Sequence, residues 1–176
     1  LSNFANTPEA LGAYISSKTI DLFKRTGVFS ERELNAHYEA LVEAYNHKIE
    51  IESLTLEELC LNYVMPAAVE FQTNLADNLG GLKNIGLDVN KNGSYQMEMI
   101  ERTNDLLTKL HNTGKKMSEA RKAAHKLTNS TAQATAFCTT VKPLMEDIRG
   151  YCDDLELIVD DRIWPLIKYR ELLFMR

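Results

Sequence analysis

The feature that most constrains the fold is an apolar stripe in the last quarter of the chain, which steps alternately by four and three residues. It comprises Phe137, Val141, Leu144, Ile148, Tyr151, Leu155 and Ile158. The spacing averages 3.5 residues, the repeat of a helix that packs along the seam of a left-handed bundle. The alternation typical of half-buried strands is absent from the sequence. The sequence therefore predicts an all-α protein, an antiparallel bundle of about four long helices with a short C-terminal tail.

Capping residues divide the chain into predicted segments. Thr7 before Pro8 predicts a helix start, and Gly27 predicts its end. Ser30 with Glu33 forms a capping box that begins the next helix. We treat residues 1–176 as one helical domain with helices over 8–26, 31–79, 95–127 and 131–161, a Gly/Asn loop over 80–94 and an apolar tail over 163–174.

The helix predicted over 31–79 has two places where it could be interrupted. Thr55 with Glu58 is a second possible capping box, and Pro66 must at least kink the helix. We favour one bent helix, because no cluster of turn-forming residues separates its halves.

Charge is distributed unevenly along the chain. Residues 31–79 contain ten acidic and two basic residues, whereas residues 102–126 contain seven basic and two acidic ones. Residues 143–161 contain seven acidic residues and one basic residue, Arg149, so the basic range has an acidic neighbour on either side in sequence. Such complementarity mainly selects which helices pair. A basic cluster lies within the second range, at Lys115, Lys116, Arg121, Lys122, His125 and Lys126. It lacks interleaved aromatic residues and the protein has a net charge of −5, so we do not expect nucleic acid as a partner.

No catalytic or metal-binding constellation stands out. Phosphate-binding loops, the nucleophile elbow and the HExxH pair are all absent, and no histidine follows a glutamate by three residues as di-iron bundles require. Glu43, His47 and Glu50 share one helix face, where a solvated polar surface is a better interpretation than a metal site. We predict no catalytic, cofactor-binding or metal-binding residue in this chain.

The three cysteines and the hydropathy of the sequence indicate a redox state and a cellular compartment. Cys60, Cys138 and Cys152 form no CxxC pair, so reduced thiols in a cytoplasmic protein are expected. Cys60 and Cys138 resemble small core residues, and two aspartates beside Cys152 disfavour a reactive thiolate. No apolar run approaches the roughly 18 residues needed to cross a bilayer, so no membrane association is expected.

The C-terminal tail combines the only tryptophan with other apolar and aromatic side chains. The simpler interpretation is a terminal strap that packs on its own bundle. The alternative is a docking surface for another subunit or domain, since aromatic and arginine residues are favoured anchors. The candidate docking or packing residues are Trp164, Pro165, Leu166, Tyr169, Arg170, Leu173 and Phe174.

Several long stretches resemble one protein family. The tail VDDRIWPLIKYRELLF resembles the C-terminal end of type III glutamine synthetases, the large bacterial form of the enzyme. The likeness extends to TPEAL with KRTGVFSERELNAHYEA, to PAAVEFQTNLADNLGGLKNIG and to VKPLMEDIRGYCDDLELIVDD. One departure is Ile167, where many members have proline.

This resemblance implies a specific role. In that family, ATP, metal ions such as Mg²⁺, glutamate and ammonia are handled by upstream domains, so no catalytic residue carries over to this chain. The chain would be a non-catalytic helical region that serves subunit packing, oligomer contacts or regulation. Its partners would be its own upstream catalytic domain and other copies of the subunit. The start at Leu1 rather than Met agrees with part of a longer protein. The alternative is a free-standing helical interaction or adaptor module with no enzymatic role.

Overall fold

The structure, a computed structural model, describes residues 3–174, with the backbone alone at 169 and 170. Within this range the chain is an all-α helical bundle without strands, in which three long helices pack together. The predicted fold class is thus confirmed. The helices are α1 (Thr7–Gly12), α2 (Ser17–Thr26), α3 (Glu31–Leu59), α4 (Met65–Asn84), α5 (Val89–Asn92), α6 (Ser94–His125), α7 (Ser130–Ala136), α8 (Lys142–Ile158) and α9 (Tyr169–Leu172), with a 3₁₀ turn at Ala13–Ile15 and π turns at Cys60–Val64 and Phe137–Val141.

The chain divides into two compact units, and the first contains residues up to Leu54 together with Lys116–Met145. On α3, Val42 is buried, whereas the neighbouring Leu41 is 41% exposed. Two polar residues join that buried face. The Asn46 amide donates to the Ser130 carbonyl at 2.9 Å, and the Ser53 hydroxyl donates to the Glu50 carbonyl at 2.8 Å. The apolar core of this unit includes Leu34, Val42, Ile49, Met117, Ala124, Phe137 and Val141.

The second unit contains Thr55–Lys115 and the chain from Glu146 onward. Its core has one fully buried polar residue, Thr103, whose hydroxyl donates to the Met99 carbonyl at 2.7 Å. Backbone acceptors of this kind allow a hydroxyl to be buried without losing a hydrogen bond. The apolar core includes Val64, Ala68, Leu106, Leu110, Ile148, Leu155 and Trp164.

The first predicted helix is two helices. The N-cap of α1 is Asn6 rather than Thr7, since the Asn6 side chain accepts the Glu9 amide at 3.0 Å. Ser16 then interrupts the predicted 8–26 helix, because its extended backbone and its hydroxyl cap α2. The apolar residues Leu11, Ile15 and Leu22 recur at helical spacing on both sides of this break, so the sequence does not reveal it. Gly27 ends α2 in the left-handed conformation, at φ 68°, as predicted.

The predicted bend near Pro66 takes the form of a π turn. Helical structure is continuous from α3 through the π turn into α4, so Thr55 begins no new helix. The Met65 amide donates to the Cys60 carbonyl five residues earlier. This wider turn comes just before Pro66, which has no N–H to donate and whose ring would clash with a carbonyl in a regular turn.

The predicted loop over 80–94 is wrong at both ends of the range. Gly80 and Gly81 belong to α4, and the short helix α5 precedes Gly93. The left-handed residue is Gly86, at φ 83°. Its amide donates to the Lys83 carbonyl at 3.0 Å, and the Leu87 amide donates to the Leu82 carbonyl at 3.0 Å. These two bonds form a Schellman motif, which favours glycine at the left-handed position just after the helix. Gly86 occupies that position, whereas Gly80 and Gly81 lie within the helix.

The fourth predicted helix, 131–161, follows the predicted break and contains a π turn. Asn129 caps α7 by accepting the Ala132 amide at 2.9 Å, so the chain does break after α6. A second π turn, Phe137–Val141, ends two residues before Pro143. Regular helix ends at Ile158, where Asp160 begins a turn.

Candidate functional sites

The turn that follows α8 is built around the Asp160 carboxylate. It accepts the Arg162 amide at 2.9 Å and the Arg162 guanidinium at 2.7 Å and 3.2 Å. The side-chain and backbone hydrogen bonds from Arg162 lower the pKa of Asp160 to about 2. The Asp160 carbonyl accepts the Ile163 and Trp164 amides. This turn directs Trp164 back toward the second unit.

Trp164 is packed within the second unit. Its residue surface is 8% exposed. The Lys168 ammonium lies 5.9 Å from the ring centroid, within the range of a cation–π interaction. The same ammonium donates to the Glu156 carbonyl at 2.8 Å and to the Asp161 carboxylate. These contacts attach the first half of the tail to the end of α8.

The other predicted tail residues do not form one surface with Trp164. Pro165 is exposed and Leu166 is half-buried. Leu173 and Phe174 are 80% and 84% exposed. The side chains of Tyr169 and Arg170 lie outside the described part of the chain. The tail therefore has a packed first half and an apolar end that contacts solvent, and its docking role stays a prediction.

One acidic side chain of α3 meets basic side chains of α6 at a cavity of the first unit. The Glu50 carboxylate on α3 lies 3.2 Å from the His125 imidazole on α6. Lys122, Lys126 and the buried Arg121 line the same cavity of about 320 Å³. The pairs Lys48–Glu52, Asp105–Lys109 and Arg149–Asp153 instead lie within single helices.

Glu43, His47 and Glu50, which share one helix face, do not form a metal-binding group. The Glu50 carboxylate instead contacts the His125 imidazole. Among the residues that the structure describes, no three His, Cys, Asp or Glu side chains are arranged to hold a metal ion.

The cysteines supply a contact that the sequence did not predict. The Cys60 and Cys152 sulfurs lie 3.5 Å apart in the second unit, although 92 positions separate them in sequence. The contact lowers the pKa of Cys60 and, together with burial, raises the pKa of Cys152. Cys138 belongs to the first unit, where burial and the Cys138 thiol raise the pKa of Tyr45. No spacing rule identifies such a pair, because the fold alone brings the two positions together.

Comparison with known proteins finds several relatives named glutamine synthetase. A family model described as the glutamine synthetase C-terminal domain matches residues 1–83. Over its full length the chain is 35% identical to a glutamine synthetase from Bacteroides fragilis, and the match covers 24% of that protein. The chain is therefore similar to the C-terminal part of glutamine synthetases. It is likewise 32% identical, over its full length, to 24% of a type-3 glutamine synthetase from Dictyostelium discoideum, and 27% identical over 99% of its length to 25% of a glutamine synthetase from Butyrivibrio fibrisolvens.

The resemblance to glutamine synthetases found in the sequence is thus confirmed, with one correction. Similarity extends to Dictyostelium discoideum, so the related sequences are not confined to bacteria. The chain spans about a quarter of the length of the relatives it matches. Within the described residues, no helix is both long and apolar enough to cross a membrane.

Proposed function

We propose that the chain is the non-catalytic C-terminal region of a type III glutamine synthetase, a cytoplasmic enzyme that joins ammonia to glutamate with ATP. The observation that carries this proposal is the match of the full chain to only about a quarter of each relative. ATP and Mg²⁺ would be bound by residues upstream of this region. The helices would serve subunit packing, oligomer contacts or regulation.

The apolar end of the tail is the part of the chain best suited to such contacts. Leu173 and Phe174 are among its most exposed large apolar side chains. Covering exposed apolar side chains of this size with another surface lowers the free energy, because apolar area is removed from water. The surface would belong to the upstream catalytic domain or to another copy of the subunit.

A direct test is the coding sequence immediately upstream of Leu1. We expect it to encode the strand-rich catalytic domain of a glutamine synthetase in the same reading frame. A stop codon or an unrelated domain at that position would contradict the proposal.

A second test addresses the tail in the full-length protein. Leu173→Asp with Phe174→Asp should lower the sedimentation coefficient or the glutamine-forming rate per subunit, because charge would replace apolar contacts. Ile85→Asp is the matched control, since Ile85 is 73% exposed in the same unit but lies outside the tail. Unchanged sedimentation and activity in the double variant would remove the tail from the proposed contacts.

A further inference from the structure

Two thiols face each other across the second unit. Cys60 lies in the π turn between α3 and α4, and Cys152 lies on α8. Their sulfurs are 3.5 Å apart and both are present as free thiols. Cys60 is 6% exposed, whereas Cys152 is half-buried, so Cys152 is the more accessible residue of the pair.

We propose that Cys60 and Cys152 are a disulfide-forming pair that reacts with low-molecular-weight disulfides. A disulfide needs its sulfurs about 2.0 Å apart, so the two atoms must approach by about 1.5 Å. Rotation about the side-chain torsions supplies movement of this size. Cys60 also sits in a π turn, a local widening of the helix that is common at functional sites.

The small disulfide is the only oxidant that this thiol–disulfide exchange needs. The Cys152 thiolate attacks one sulfur of the small disulfide, which forms a mixed disulfide and releases one small thiolate. The Cys60 thiolate then attacks the Cys152 sulfur, which forms the intramolecular bond and releases the second small thiolate. Two protein thiols are oxidised, the small disulfide is reduced to two thiols, and the two protons pass to those thiols or to solvent.

In the reduced pair, the pKa values of the two thiols shift in opposite directions. The hydrogen bond with Cys152 lowers the pKa of Cys60. The same contact, burial and the nearby Asp153 carboxylate raise the pKa of Cys152. The first attack should therefore be slow at neutral pH and become faster as the pH rises, because only the thiolate is nucleophilic.

The sequence allows the three cysteines to be followed separately. Trypsin places them on different peptides, with Cys60 in 49–83, Cys152 in 150–162 and Cys138 in 127–149, because Pro143 protects the bond after Lys142. Cys138 is thus an internal control in every digest.

The experiment treats the natively folded protein that contains this chain with 2-hydroxyethyl disulfide. Remaining thiols are then alkylated in denaturant before digestion and mass spectrometry. We expect peptides 49–83 and 150–162 to appear as one linked species lacking two hydrogen atoms, with alkylation of both cysteines lost and that of Cys138 kept. Dithiothreitol should restore both separate peptides.

Variants make the assignment specific. Cys152→Ser should abolish the linked species and Cys138→Ser should leave it intact. The half-buried position of Cys152 makes its substitution milder for folding than that of Cys60. The proposal is overturned if Cys60 and Cys152 stay alkylated, if Cys152 only retains a small-thiol adduct, or if Cys138 is the linked residue.

Discussion

At the scale of single residues, Gly93 is the glycine whose missing side chain matters most. It lies between α5 and α6, where a Cβ atom would overlap the Leu79 side chain and lie 2.9 Å from the Val89 carbonyl oxygen. Gly114 is the opposite case. It lies inside α6, and its Cβ position has no neighbouring heavy atom within 4 Å.

These two glycines should respond to alanine in opposite directions. Gly93→Ala should lower the free energy of unfolding by about 1–3 kcal/mol, the usual effect of overpacking. Gly114→Ala should raise it by about 1 kcal/mol, because alanine is the better helix former. Urea unfolding of both variants measures the difference, and equal midpoints would show that the Gly93 site has room for a methyl group.

Asp160 should make the attachment of the tail depend on pH. Its folded pKa of about 2 lies below the ordinary value near 3.9, so the carboxylate stabilises the folded turn fully above about pH 4. That contribution is lost as the pH falls from about 4 toward 2, because the unfolded turn binds the proton first. Arg162 and Lys168 are the cations whose charges act on it.

The only tryptophan of the chain reports this change. Trp164 emission should shift to longer wavelength between about pH 4 and pH 2, whereas Asp160→Asn should show the shifted emission already at neutral pH. Far-ultraviolet circular dichroism separates release of the tail from unfolding of the helices. Identical emission curves for the two proteins would exclude Asp160 as the group responsible.

At the scale of helices and turns, the start of α3 is fixed by a reciprocal cap. The Ser30 hydroxyl accepts the Glu33 amide at 3.3 Å, and the Glu33 carboxylate accepts the Ser30 amide at 2.8 Å. This last bond is the main reason why the pKa of Glu33 is lowered. The sequence contains the same pattern at Thr55 and Glu58, which lies inside α3 and caps nothing.

Alanine substitutions at Ser30 and Thr55 should show which of the two capping patterns stabilises a helix start. Ser30→Ala should cost about 1 kcal/mol of unfolding free energy, because a helix N-cap is lost. Thr55→Ala should change it by less than about 0.5 kcal/mol, as is usual at exposed positions. Chemical denaturation measures both, and a Thr55→Ala loss as large as that of Ser30→Ala would contradict this interpretation.

Helix starts were easier to predict than helix ends and irregularities. The Ser30 box depends on residues three apart, so the sequence contains all of the information. The end of α4 is fixed by the left-handed Gly86 and by the hydrogen bond from the Leu87 amide to the Leu82 carbonyl. In the sequence alone, Gly80 and Gly81 indicate a helix end just as well. Neither π turn has a sequence signature beyond the proline that follows it.

At the scale of the whole molecule, one candidate site could be predicted from the sequence and the other could not. The tail was identifiable because its composition is unusual, and Trp164 is indeed packed. The Cys60–Cys152 contact was not identifiable, because it depends on how α8 packs in the second unit rather than on any spacing.

The chain by itself should not make glutamine. With ATP, Mg²⁺, glutamate and ammonia, the purified 176-residue protein should give no more glutamine than a mock preparation, because the proposed catalytic residues lie upstream. A full-length protein containing it is the positive control. Turnover by the isolated chain would show that its helices carry a site of their own.

The two π turns have a consequence for insertions and deletions. A π turn fits one more residue into a helix than a regular turn does, so removing one residue there leaves a regular helix with both flanks in register. Deleting Thr139 from the second π turn should therefore be tolerated, whereas deleting Asp147 from α8 should rotate every following side chain by about 100°. The second π turn is therefore where a long helix can lose one residue and keep the same buried face.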